Sequence, residues 1–313
     1  MTLALSSIAG GLVLLVVSAE VLVQGAASVA RQIGLSSLVI GLTVVSVGTS
    51  LPELVVSVEA AVTGSGGLAL GNVIGSNIAN IALILGVVAL ISPIAVQAQV
   101  VRLDAPLLVV ASIGFIALIW DGGLGRVDGA ILTLGILGYV SYTVSLARRA
   151  ESDIRDPATT VFQTPDSLLL NGVLIAIGIV GLVGGAHVLV TGAVSIAAAL
   201  GVSPVVIGLS VVAVGTSLPE LATSLVAAWR GQGDIAVGNA LGSSIFNLLG
   251  ILGVTGLVHP LSTASLGWVE LSIMLGLSIL IVPLLRSSST LGRVEGAALV
   301  LCYVGYMGYL FMA

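Results

Sequence analysis

Lysine is absent from this 313-residue chain, and charged residues of every kind make up only 7% of it. A soluble domain carries about 25%. So little charge cannot cover a surface that faces water, which excludes an ordinary soluble protein and leaves lipid as the main solvent. With nine arginines as the only Lys/Arg-type cations there is no basic patch for nucleic acid, and the net charge of -5 carries no message about partners. The single cysteine, Cys302, excludes an internal disulfide and any cysteine-based metal cluster; it reads as a small apolar residue in a helix. Two histidines, His187 and His259, fall near the ends of different apolar runs. They supply neither a His-ligated metal nor a nucleophile–base pair, so an intramembrane hydrolase is not expected, and neither is any cofactor.

What the chain has instead is apolar length: 58% hydrophobic residues and a mean hydropathy of +1.25. A spanning helix needs about 20 apolar residues. Ten such runs are predicted, at about 4–29, 36–62, 68–91, 103–120, 127–147, 168–190, 203–229, 235–258, 266–285 and 293–312. The first lacks the basic flank of a signal peptide, although Gly25-Ala26-Ala27 resembles a cleavage site, and it is expected to stay in the mature protein.

Sliding the sequence by 167 positions lays its first half on its second without a gap. Gly41 to Ile94 falls on Gly208 to Leu261 with about 30 identities in 54 positions, and Gly125-Arg126-Val127 meets Gly292-Arg293-Val294. Each half then holds five spans, and an odd number forces the halves into opposite orientations. The fold class expected is an all-α membrane protein of ten transmembrane helices in two inverted five-helix repeats. Its units are 1–147, a polar linker over 148–167, and 168–313. With the N-terminus outside, Arg31, Arg102, Arg148, Arg149, Arg155, Arg230, Arg286 and Arg293 lie on the cytoplasmic side and only Arg126 lies outside. That asymmetry predicts a multi-pass protein of the cell membrane, with both termini external and the linker cytoplasmic.

Two hexapeptides are identical, Gly48-Thr49-Ser50-Leu51-Pro52-Glu53 and Gly215-Thr216-Ser217-Leu218-Pro219-Glu220. Each sits midway along the second span of its repeat. Proline removes an N–H and clashes with the carbonyl four residues back, so helices 2 and 7 are expected to break and to free carbonyls around 46–49 and 213–216. Freed backbone within a membrane is tolerable only beside a polar cavity or a bound ion. Hydroxyls and a carboxylate meet at the same break, and oxygen-only ligands suit the hard cations Ca2+ and Na+. Glu53 and Glu220 are buried carboxylates with no basic residue in a matching span, so a cation is the missing partner. The third spans carry Gly71-Asn72-Val73-Ile74-Gly75-Ser76-Asn77-Ile78-Ala79-Asn80 and Gly238-Asn239-Ala240-Leu241-Gly242-Ser243-Ser244-Ile245-Phe246-Asn247. Glycines four apart permit close helix packing. Ser76 with Asn80, and Ser243 with Asn247, share one face and can line the same cavity.

These paired segments resemble the alpha-repeats of the sodium/calcium exchanger family, within the calcium/cation antiporters, and the likeness runs over essentially the whole chain. The resemblance implies four central helices around a cluster of cation sites and a slanted outer pair that gates access. It implies that Glu53 and Glu220 coordinate both Ca2+ and Na+, and that Thr49 and Thr216 offer carbonyls to Ca2+. Ser50, Ser76, Ser217 and Ser243, with the carbonyls of Ser46 and Ala213, would complete Na+ sites, and Asn80 and Asn247 would sit at the centre. The best-known archaeal relatives place an aspartate where this chain has Asn247, so the cluster here has two carboxylates instead of three. The function expected is Ca2+/Na+ antiport by alternating access, with Ca2+, Na+ and the lipid bilayer as partners and a monomer sufficient for transport. Ca2+/H+ exchange on the same fold, or a passive cation channel, are the alternatives. Of the remaining polar residues, Glu20 is expected in a vestibule or packing role. Glu59, Asp104, Asp128, Glu270 and Glu295 are expected to be solvated or snorkelling near span ends. Trp120, Trp229 and Trp268 are expected at the membrane interfaces.

Overall fold

The structure is a computed structural model that describes residues 2–150, 167–200, 213–264, 266–287 and 290–312. The linker expected at 148–167 and the start of the seventh span therefore lie largely outside the described residues. The helices are α1 (Thr2–Ile33), α2 (Ser37–Thr49), α3 (Leu51–Val62), α4 (Gly66–Ile91), α5 (Val100–Asp121) and α6 (Arg126–Ala150) in the first half. In the second half they are α7 (Leu168–Ala199), α8 (Ala213–Thr216), α9 (Leu218–Trp229), α10 (Gly233–Val258), α11 (Trp268–Ser287) and α12 (Arg293–Met312).

Among the described residues the protein is all-α apart from two minimal ribbons, seven helices are long and apolar enough to cross a membrane, and the bent pair α2–α3 makes an eighth. The ten crossings expected from sequence exceed that number. One reason is that α9 is short by itself, with the residues before Ala213 outside the described set.

Helices α4 and α10 are the most enclosed, and the rest surround them. The outward faces of the surrounding helices are apolar, with Leu3, Val13, Val110, Leu134, Leu169, Val180 and Leu301 all well exposed, as a lipid solvent requires. Helix α1 packs along α7. The approach is close enough that a Cβ on Gly178 would lie 2.8 Å from the backbone nitrogen of Leu22, so only glycine fits there. Of the glycines four apart on the third spans, Gly238 and Gly242 do bring α10 onto α2, where a Cβ on Gly238 would meet the carbonyl of Leu38 at 2.8 Å. Their repeat mates Gly71 and Gly75 instead line a cavity of about 730 Å3.

Strands β1 (Ile94–Ala95) and β4 (Thr290–Leu291) pair antiparallel, Ile94 opposite Leu291. Strands β2 (Gly123–Leu124) and β3 (Leu261–Ser262) do the same, Leu124 opposite Leu261. Each ribbon joins a connection of the first half to one of the second. Trp120 and Trp268 stack edge-on with ring centroids 5.5 Å apart beside the second ribbon, and both are exposed with Trp229, as an interfacial belt would be.

Candidate cation-binding centre

The helix breaks where the hexapeptides fall. Ser50 leaves helical geometry at φ -85° and ψ 9°, and Ser217 at φ -87° and ψ 6°. The two repeats thus build the same turn to within a few degrees. A new helix begins at the next residue, with Pro52 or Pro219 in its first turn, where the missing N–H leaves no gap in the ladder. The bend between α2 and α3 is 45°. Ser50 N–H still donates to the carbonyl of Ser46 at 3.1 Å, and Ser217 N–H to that of Val214 at 3.2 Å. Pro52 and Pro219, by contrast, have no N–H to offer the carbonyls of Gly48 and Gly215 four residues back. Glu53 and Glu220 stand in the first turns of α3 and α9, where the helix dipole favours a carboxylate.

Both carboxylates are about 1% exposed, and each is held by the other repeat. Ser50 Oγ donates to Oε1 of Glu220 at 2.8 Å, and Ser217 Oγ donates to Oε1 of Glu53 at 3.1 Å. Ser217 Oγ also lies 3.3 Å from Ser76 Oγ. Thr49 Oγ1 donates to Oδ1 of Asn239 at 3.0 Å, and Ser243 Oγ to the carbonyl of Ser46 at 3.4 Å. These bonds bring Ser46, Thr49, Ser50, Glu53, Ser76, Ser217, Glu220 and Ser243 together at one centre. Asn80 and Asn247 follow one turn beyond Ser76 and Ser243, each in a π-helical turn (Ala79–Ile84 and Phe246–Ile251). The first turn packs against α9 and the second against α3, so each amide lies on a turn that meets the other repeat's glutamate helix. Thr216 is half-buried and lines a separate cavity of about 500 Å3 with Pro52 and His187. Ala213 opens α8, and its side chain lies outside the described residues.

Two asparagines do a job that the motifs hid. Asn72 Nδ2 donates to the carbonyl of Glu53 at 3.2 Å and to Ser57 Oγ at 2.9 Å. Asn239 Nδ2 donates to the carbonyl of Glu220 at 3.2 Å and to Ser224 Oγ at 3.0 Å. Each ties its glutamate's backbone to the neighbouring span. The signal in the sequence was their repetition at mated positions, together with Ser57 and Ser224.

What remains unpaired defines the chemistry. Oε2 of Glu53, Oε2 of Glu220, Oδ1 of Asn247 and both ends of the Asn80 carboxamide are buried without a hydrogen-bond partner. Buried polar atoms are ordinarily satisfied, so such a cluster calls for a guest. Its composition, two carboxylates with hydroxyls and amides, is that of a hard-cation site. Among the described residues no three His, Cys, Asp or Glu side chains converge, so a transition-metal centre is not formed there.

One outlying residue differs from expectation. Asp104 is fully buried instead of snorkelling, because Tyr139 on α6 reaches its Oδ1 with a hydroxyl at 3.0 Å. Glu20 on α1 forms a two-pronged ion pair with Arg230, which follows α9, at 2.7 and 2.9 Å, and also accepts from Gln24. His259 is exposed, with its ring against the carbonyl of Pro260.

The molecule is thus a multi-span membrane protein with an enclosed, oxygen-lined centre at the meeting of two repeated segments. Comparison with known proteins agrees. The family model for "Sodium/calcium exchanger protein" matches residues 3–145 and 170–312, two segments separated by the same offset as the repeat. The putative antiporter CaxA of Alkalimonas amylolytica is 38% identical over 96% of each chain. The sodium/calcium exchanger MaX1 of Methanosarcina acetivorans is 32% identical, again over 96% of each. A solved structure of the sodium-calcium exchanger NCX_Mj, soaked with Na+ and Ca2+, superposes with a TM-score of 0.84 at 34% identity over 98% of each chain. The chain belongs to the sodium/calcium exchanger family, and so is a membrane antiporter.

Proposed function

We propose that this protein exchanges Ca2+ for Na+ across the cell membrane by alternating access, with both ions competing for the centre built on Glu53 and Glu220. The observation that carries the reading is the reciprocal pair of serine–glutamate bonds. Each carboxylate is fixed through one oxygen by the opposite repeat and keeps the other buried and unpaired. Two negative charges then balance one Ca2+ or two Na+, and hydroxyls and amides supply neutral oxygens for further Na+. Ser46, Thr49, Ser50, Ser76, Asn80, Ala213, Thr216, Ser217, Ser243 and Asn247 are the remaining ligand candidates. The cavities reaching Asn72 and Thr216 are the natural routes to solvent.

In this reading the chain crosses the membrane ten times as two inverted repeats of 1–147 and 168–313, joined by a cytoplasmic linker. The ribbons support that count. With ten crossings, the connection before α5 shares a side with the one before α12, and the connection before α6 shares a side with the one before α11. These are the connections that the ribbons pair. The arginine distribution supports external termini. A monomer holds the complete site.

Proton coupling is the second reading. The two amides at the centre favour Na+, because neither can take up a proton as a third carboxylate would. The test is Ca2+ uptake into proteoliposomes under an imposed Na+ gradient or an imposed pH gradient. Uptake should require Na+ and should follow membrane potential if more than two Na+ move per Ca2+. Flux that ignores Na+ and follows the pH gradient would establish the proton-coupled mechanism instead.

A further inference from the structure

Asn80 and Asn247 are repeat mates, yet only one of them is held. The Asn80 carboxamide has no hydrogen-bond partner at either end. Nδ2 of Asn247, by contrast, donates to Oδ1 of Asn77 across 3.3 Å. Asn77 is fully buried, and its own Nδ2 is turned to Sδ of Met274 on α11, 3.9 Å away. With its nitrogen facing sulfur, Asn77 has only its oxygen to offer Asn247. A carboxamide held by its nitrogen must send its oxygen the other way. Oδ1 of Asn247 is indeed buried and unpaired, on the π-helical turn that packs against the helix carrying Glu53. The second repeat has no such device. The mate of Asn77 is Ser244, whose hydroxyl donates back to Ala240 of its own helix at 3.0 Å.

We propose that Asn77 is a positioning residue that fixes the flip of the Asn247 carboxamide, so that its carbonyl oxygen and not its NH2 group is presented to the transported cation. The chemistry gives the reason. An amide oxygen is a neutral hard ligand, whereas the NH2 end is a donor that repels a cation. A carboxylate at this position would need no such control, because both its ends are oxygen. An amide does, and Asn77 supplies the control from outside the ligand set. The proposal rests on the exchanger reading above.

The experiment measures Ca2+ affinity by radiolabelled Ca2+ binding to the purified full-length protein, and the maximal rate by Na+-driven Ca2+ uptake in proteoliposomes. Asn77→Ala and Asn77→Ser are each made in the parent and in an Asn247→Asp background, with Glu53→Gln as control. Serine is the residue that the second repeat already accommodates at the mated position, so it serves if alanine does not fold. In the parent, losing the bond should weaken Ca2+ binding about three- to tenfold, the scale of one hydrogen bond, while the maximal rate stays within about twofold. In the Asn247→Asp background the same change should alter affinity by less than about twofold, because a carboxylate has no wrong end. Equal losses in both backgrounds would mean that Asn77 merely packs, and native affinity in the parent would also overturn the proposal. If Glu53→Gln retains Ca2+ binding, the exchanger reading itself fails. If it abolishes binding while the Asn77 variants bind normally, only this inference fails.

Discussion

Glu53→Gln separates charge from every other property of the centre. The side chain keeps its volume, its place in the first turn of α3 and an oxygen for the Ser217 hydroxyl that now sits 3.1 Å away. What disappears is one of the two buried negative charges of the centre. At about 4 Å and an effective dielectric near 20, one unit charge acts on another with about 4 kcal/mol. A divalent ion doubles that figure, and the water that the carboxylate and the ion give up offsets roughly half of it, leaving about 4 kcal/mol for Ca2+ and about 2 for Na+. In affinity these are losses of about a thousandfold and about thirtyfold. The assay is thermal unfolding of the detergent-solubilised protein against rising Ca2+ or Na+, since a ligand that binds only the folded state raises Tm with its concentration. The Ca2+ titration should flatten while the Na+ titration moves to higher concentration, and the ion-free Tm should stay at or above that of the parent. Glu220→Gln should behave alike, because the two sites are built alike. Equal losses for both ions would show that the carboxylate acts through structure and not charge, and near-native Ca2+ transport would remove Glu53 from the site.

The reciprocal serine bonds make a second prediction: Ser50→Ala and Ser217→Ala should each weaken Ca2+ binding by about three- to tenfold, the scale of one hydrogen bond to a carboxylate, as read by the same titration. Topology gives a third. In a Cys302→Ser background, Ser65→Cys in the exposed turn between α3 and α4 should react with an impermeant thiol reagent from outside intact cells. Ala98→Cys, exposed just before α5, should react only after the cytoplasmic side is opened; the reverse pattern would invert the arginine-based orientation.

The membrane-spanning helical character and both buried glutamates could be read directly from the sequence, because apolar length is a local property and the hexapeptide occurs twice. The partners of those residues were harder to read. Asn72 and Asn239 appeared only as motif letters, since their role depends on how α4 lies against α3 and α10 against α9. The pairing of Glu20 with Arg230 joins positions far apart in the chain, and nothing in either neighbourhood announces it. Asp104 looked like a span-end residue because burial by Tyr139 depends on the packing of α6. The helix breaks were legible because a proline four residues after a glycine cannot continue the ladder, and here each proline starts a second helix. The π-helical turns under Asn80 and Asn247 have no signature in side-chain periodicity at all.

The two ribbons have a mechanical consequence. Each is only a pair of residues on each strand, yet it fastens a connection of the first half to one of the second through main-chain hydrogen bonds. Between them they involve the connections flanking α4, α5, α6, α10, α11 and α12, which makes those six helices a frame clamped at two places. Helices α1 and α7 are packed on each other instead, with Gly178 directly against Leu22. Glu20 on α1 is paired with Arg230 in the connection between α9 and α10, so any displacement of α1 along that frame would have to break this ion pair.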